Sequence, residues 1–129
     1  MPPGASIMMR PRWCDHTPRQ VPDGTEGLVF VSAFGGLLAP HWRDDARGTL
    51  VGLTLAHDKR HMARAVLEGI AHQANDVVGA MEADTGVALT AVRVDGGVSL
   101  SSELLQYQAD LCNVPVEVRS RTPLLLPFS

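Results

Sequence analysis

Cysteine is scarce in this chain, and long apolar runs and any surplus of positive charge are missing altogether. The two cysteines, Cys14 and Cys112, stand far apart in unlike surroundings. They fit neither a disulfide framework nor a paired metal motif, so a reducing, cytoplasmic setting is expected. No stretch reaches the roughly 18 consecutive apolar residues of a membrane helix, so no membrane partner is expected. A formal charge of -3 argues against nucleic acid as a partner, because that would need a concentrated basic face. Arg10, Arg12 and Arg19 have no apolar segment behind them, which excludes a secretory signal. They would suit an organellar presequence, but Asp15 and the prolines count against one. What the chain does have is 45% hydrophobic and 19% charged residues over 129 positions, enough for one domain around one core.

Residues 1–26 hold five prolines, which remove backbone donors and leave no apolar period of 2 or 3.6, so this stretch reads as a disordered tail. Order is expected to start at Gly27. Leu28-Val29-Phe30-Val31 reads as a buried strand entering the Gly35-Gly36 loop, and Gly48 to Thr54 as a second strand. Gly52 inside that strand marks a bulge or a close backbone approach. From Lys59 to Ala83 the period is helical, with Met62, Val66, Ile70, Ala74, Val77 and Met81 as the stripe and Ala63, Leu67, Ala71 and Val78 widening it. The pattern predicts one long, well-buried helix stopped at Asp84-Thr85-Gly86. Leu89–Val94 reads as a strand, Ser99–Leu111 as a helix and Val114–Val118 as a strand with Pro115 at its start. The order hairpin, helix, strand, helix, strand points to an α/β domain with βαβ crossovers and a mixed sheet. After Pro123 the chain has no helical or strand logic, so residues 120–129 read as an irregular tail.

The segment with the clearest chemical promise is Val94-Asp95-Gly96-Gly97-Val98-Ser99. Paired glycines after a strand let the backbone approach a ligand, and the following helix turns its N–H groups and positive end towards it. Nucleotides and phosphates use this arrangement, although a Gly pair after a strand is also an ordinary turn. His57 and His61 lie four apart, but the intervening Asp58-Lys59-Arg60 does not make a zinc-protease motif, so they read as helix-start residues. Asp44 and Asp45 between Arg43 and Arg47 read as a solvated, salt-bridged loop. Ser32 and Ser99 sit near glycines without forming a nucleophile elbow, and no catalytic triad can be assembled.

Several blocks taken together resemble the C-terminal half of the glycerol kinases and of the wider FGGY family of carbohydrate kinases. Phe30-Val-Ser-Ala-Phe34-Gly-Gly-Leu-Leu-Ala-Pro40-His-Trp42, with Asp45-Ala-Arg47-Gly48 behind it, is similar to the family's V-P-A-F-x-G-L-x-A-P-Y-W block. Gly48-Thr-Leu-Val-Gly52-Leu, then seven residues, then His61-Met-Ala-Arg-Ala65-Val-Leu-Glu68 resembles its second signature in full spacing. Leu67-Glu68-Gly-Ile-Ala71-His-Gln73, Arg93-Val-Asp95-Gly96-Gly97 and Leu105-Gln-Tyr-Gln108-Ala-Asp110 resemble three further elements. The likeness covers about residues 27–119, in the family's order.

That resemblance implies a ribonuclease H-like, actin-like ATPase domain, one of two that clamp ATP with Mg2+, and glycerol as the phosphoryl acceptor. Gly96 and Gly97 would line the adenosine side of the nucleotide. Ser101 would stand where the family usually has an asparagine, keeping a hydroxyl but losing the amide's two-sided bonding. His41 replaces the usual tyrosine. The family's D-x-G-T-T-S phosphate loop, the aspartate of its G-D-Q element and its T-A-L-G-A-A helix have no counterpart here. The resemblance thus implies a kinase fragment with no catalytic residue of its own, incomplete at its C-terminus and inactive alone. Two alternatives stay open: an interaction module that pairs with the missing N-terminal domain or a full-length kinase, and another FGGY kinase acting on xylulose or gluconate.

Overall fold

The computed structural model describes residues 24–95 and 101–118. Residues 1–23 of the expected N-terminal tail and all of 120–129 lie outside that range. A turn over residues 24–27 leads into β1 (Val29–Val31), followed by β2 (Thr49–Val51), α1 (Lys59–Thr85), β3 (Val92–Val94), α2 (Ser102–Cys112) and β4 (Val116–Val118). This is the element order read from the sequence, with shorter strands. β2 stops at Val51 because Gly52 turns to φ +89°, where a side chain would stand 2.5 Å from the Gly27 carbonyl oxygen. Gly52 therefore marks a close backbone approach just past the strand, not a bulge within it.

Pairing is antiparallel between β1 and β2, Val29 facing Val51, and parallel between β3 and β4, Val92 facing Val116. Both senses of the expected mixed sheet occur, but as two separate two-stranded sheets among the described residues. α1 joins them, because β1 and α2 both pack on it.

α1 opens with a capping box. The Asp58 carboxylate accepts the Arg60 and His61 backbone N–H groups at 2.8 and 3.4 Å, and His61 Nδ1 accepts the Asp58 N–H at 3.1 Å. It closes on Gly86 in the left-handed conformation, whose N–H reaches the Glu82 carbonyl at 2.9 Å. Lys59 and Arg60 stand in its first turn and Glu82 and Asp84 in its last, with no acid at the start and no base at the end.

Two expectations for α1 are corrected. Of the predicted stripe, Met62, Ala74, Val77 and Met81 are exposed, Met81 at 56%, and Val66 and Ile70 are half-buried, while Ala63, Leu67 and Ala71 on its flank are buried with His61 and Ala65. The core line therefore runs along the flank of the apolar sector. Periodicity locates the sector but not its centre, which is set by where neighbours approach most closely, and small residues allow that approach. Burial is also confined to the first half of the helix. Leu67 and Ala71 pack with Leu104, Ile70, Tyr107 and Leu111, and no described element covers Val77 and Met81 in the same way. A second cluster seats the other side of α2 on the parallel pair: Leu105 and Ala109 against Val116, Val118, Val92 and Val94.

Candidate functional site

β3 and β4 run parallel with α2 between them, so both strands end on the same side as the start of α2. An open recess there is lined by Arg93, Val94, Asp95, Glu117 and Val118. Ligands of α/β sheets favour the carboxyl ends of parallel strands, which makes this the candidate site. Gly96 and Gly97 follow Asp95 directly but lie outside the described residues.

Ser101 is half-buried and is the N-cap of α2: its backbone is extended and its Oγ accepts the Leu104 N–H at 3.4 Å. One lone pair of the hydroxyl thus fixes the start of the helix, and its hydrogen can still be donated. Arg93 bridges to Glu117 across the strand pair at 2.9 Å, holding one cation on the rim. Among the described residues it offers the helix-start N–H groups of α2, the Ser101 hydroxyl and the Arg93–Glu117 pair, groups that suit binding of an anionic ligand. Ser101→Ala removes the cap acceptor and should destabilise the chain by about 1 kcal/mol, read as a lower urea midpoint. Ser101→Asn keeps a capping side chain and should hold the midpoint.

The other polar residues singled out from the sequence serve structure. His57 Nδ1 accepts the Thr54 N–H at 2.9 Å and its Nε2 faces the Glu26 carbonyl at 3.1 Å, while His61 completes the capping box. These two histidines tie the 24–27 turn to the helix start. The Arg60 guanidinium, with the hydrogen bonds of the cap, holds the Asp58 carboxyl far below the usual carboxylate range. Arg43 grips Asp45 through two 2.7 Å bonds, as the salt-bridged loop required, and Arg47 instead donates to the Asp44 and Ala46 carbonyls at 2.8 Å. Ser32 donates to Gln73 Oε1 at 2.6 Å, and Ser99 lies outside the described residues.

Composition and spacing gave no sign of the seam between α1 and α2. His72 Nε2 and the Tyr107 hydroxyl share a 3.1 Å hydrogen bond, and Arg64, paired with Glu68 at 2.6 Å, sits 5.4 Å from the Tyr107 ring centre. Burial first, and the Glu68 carboxylate second, push the phenol pKa up, so it stays protonated at neutral pH. Cys112 donates to Asn75 Oδ1 at 3.3 Å across the same seam. The signal available was Tyr107, the chain's only tyrosine, one helical turn after Leu104.

Comparison with known proteins decides what this scaffold is. The FGGY family of carbohydrate kinases, C-terminal domain, matches residues 11–123. This chain belongs to that family. The glycerol kinase of Alkalilimnicola ehrlichii is 56% identical over 98 residues, 76% of this chain and 20% of that protein. The glycerol kinase of Mycobacterium tuberculosis is 53% identical over 98 residues, again 76% of this chain but 19% of its own length. Among solved structures, Plasmodium falciparum glycerol kinase with ADP superposes with a TM-score of 0.78 at 38% identity, over 84% of this chain and 21% of that one. Rhodospirillum rubrum xylulose kinase gives 0.69 at 31%, over 83% of this chain and 21% of that one. The FGGY chain described here therefore spans about a fifth of the length of the relatives it matches. Its α/β architecture is that of the ribonuclease H-like, actin-like ATPase domain these kinases share. No helix among the described residues is long and apolar enough to cross a membrane.

Proposed function

We propose that this chain is part of the nucleotide-binding half of a cytoplasmic ATP-dependent glycerol kinase, which converts ATP and glycerol to ADP and glycerol 3-phosphate. The observation that carries this is identity of 52–57% to glycerol kinases over 70% or more of the chain. Xylulose and gluconate kinases share the fold at lower identity, 31% and 36%. In this reading residues 27–119 form the kinase part. Gly96 and Gly97 carry the backbone close to the adenosine side of the nucleotide, and Ser101 donates its hydroxyl hydrogen there. The N–H groups opening α2 add a positive end that suits an anionic ligand.

Phosphoryl transfer relies on positioned phosphates, a metal ion and a base that orients the accepting hydroxyl. Magnesium in such enzymes is held by one or two carboxylates together with the nucleotide's phosphates. The proposed role is orientation of the nucleotide, with the acid–base chemistry and the polyol site supplied by the remainder of the kinase.

The test is a chimera in which the matched stretch of the Alkalilimnicola ehrlichii glycerol kinase is replaced by that of this chain. It should phosphorylate glycerol within about tenfold of its parent, a difference of about 1.4 kcal/mol in the barrier. The isolated 129-residue chain should show none above background. A chimera that folds but turns over no ATP would remove the proposal.

A further inference from the structure

Most of what holds α2 in place has no direction. Leu104 and Leu111 pack on α1, and Leu105 and Ala109 pack on Val116 and Val118. Burial of this kind is indifferent to angle, so it tolerates a small roll of the helix about its axis. A hydrogen bond does not, because it weakens steeply as its angle closes. Cys112 makes such a bond to Asn75 at the far end of α2, and Tyr107 makes one to His72 at 3.1 Å. Tyr107 is the more fully specified of the two. Arg64, Glu68 and His72 lie four residues apart on α1, so their side chains form one row. His72 meets the phenol at its hydroxyl and also edge-on, with ring centres 5.8 Å apart at 75°. Arg64, bridged to Glu68, lies over the ring at 5.4 Å. Hydroxyl, edge and face of Tyr107 are therefore all fixed from α1.

The other end of α2 is the candidate site. Ser101 stands six residues before Tyr107, about 9 Å along the helix axis. Its Oγ is bonded to the Leu104 N–H, and Leu104 belongs to the cluster that Tyr107 packs against. Over so short a length of helix, a roll at Tyr107 turns Ser101 and the first N–H groups through the same angle. Displacements of about 1 Å at a positioning contact already cost a large factor in function. We infer that Tyr107, gripped by His72 and Arg64, is a positioning residue for the nucleotide: it fixes the roll of α2 and thereby the aim of the Ser101 hydroxyl and the helix-start N–H groups. Tyr107 acts through the helix and touches no ligand. This rests on the reading that the chain is the nucleotide-binding part of a kinase.

Residual dipolar couplings of the α2 amides, measured in the isotope-labelled chain, report the orientation of α2 against α1. Tyr107→Phe removes the hydroxyl alone and should shift these couplings, as should His72→Leu. The double variant should shift them no further than either single change, because both remove one and the same bond. His72→Gln, which can still bond to the phenol, should keep the parent's values. In the chimera, Tyr107→Phe should raise the KM for ATP and the Kd for ADP about fivefold and leave kcat within about twofold. His72→Gln should restrict that rise to less than about twofold. A residue that served the fold alone would lower the melting temperature and leave KM and Kd unchanged well below it. Unchanged couplings in Tyr107→Phe, additive shifts in the double variant, or an unchanged Kd for ADP would each overturn the inference. The kinase reading fails separately. An unsubstituted chimera that folds without turnover removes that reading, while the couplings and the ADP titration still decide whether Tyr107 aims α2.

Discussion

Gly69→Ala should destabilise the chain by about 1 kcal/mol, the net of a helix gain and a larger overpacking penalty. The equivalent change at Gly79 should stabilise it. Both glycines lie inside α1, where alanine is favoured over glycine by about 1 kcal/mol on helix propensity alone. At Gly79 nothing stands within 4 Å of an added Cβ, so that gain is realised. At Gly69 the new carbon would meet the Phe30 carbonyl oxygen at 2.4 Å and its carbon at 3.3 Å. Neither the strand backbone nor the helix can turn aside as a flexible side chain would, and forcing a methyl into a filled site costs about 1–3 kcal/mol before any loss of docking. Urea unfolding followed by circular dichroism separates the two outcomes. A Gly69→Ala chain more stable than the parent would show that α1 does not lie hard against the hairpin.

Leu105→Ala should cost about 3 kcal/mol, within the range for emptying a leucine site in a core that relaxes only partly. Leu105 is 4% exposed and links α2 to Val116 and Val118. Domains of this size are stable by only about 5–15 kcal/mol, so this one change removes a large share. Met81→Ala on the open end of α1 should stay within about 0.5 kcal/mol, as surface changes do. Because Leu105 seats α2 on the strand pair, the loss should reach ligand binding: the Leu105→Ala chimera should bind ADP more weakly than its parent. Equal stabilities for the two alanine variants would mean that the α2–β4 contact is not a core.

The element order was legible because the apolar period changes cleanly between Thr54 and Lys59, and because Gly86 stops α1 in the way its residue type favours. The burial of α1 was not legible. Its apolar residues cover a wide sector, and choosing Ala63–Leu67–Ala71 over Met62–Ala74–Val77 requires knowing that Phe30 and Leu104 approach from particular sides. For the candidate site, Val94-Asp95 at a strand end could be read from pattern. The double duty of Ser101, as helix cap and proposed ligand contact, could not, since a serine before a helix looks the same in either role. The clamp of His72 and Tyr107 was hidden for a plainer reason: the partners are 35 residues apart and no local rule links them.

The charges at the ends of α1 have a consequence for how that helix exists at all. Lys59 and Arg60 sit at its positive pole and Glu82 and Asp84 at its negative pole, so apart from the Asp58 cap its own field opposes it. Dissolved salt should therefore strengthen α1, because screening weakens the repulsion. Cut free as a peptide, residues 59–85 should be a poor helix in dilute buffer, since isolated helices depend on propensity and favourable charge. The first half of α1 is held as helix by the hairpin and by α2, which pack on it at Leu67, Gly69 and Ala71.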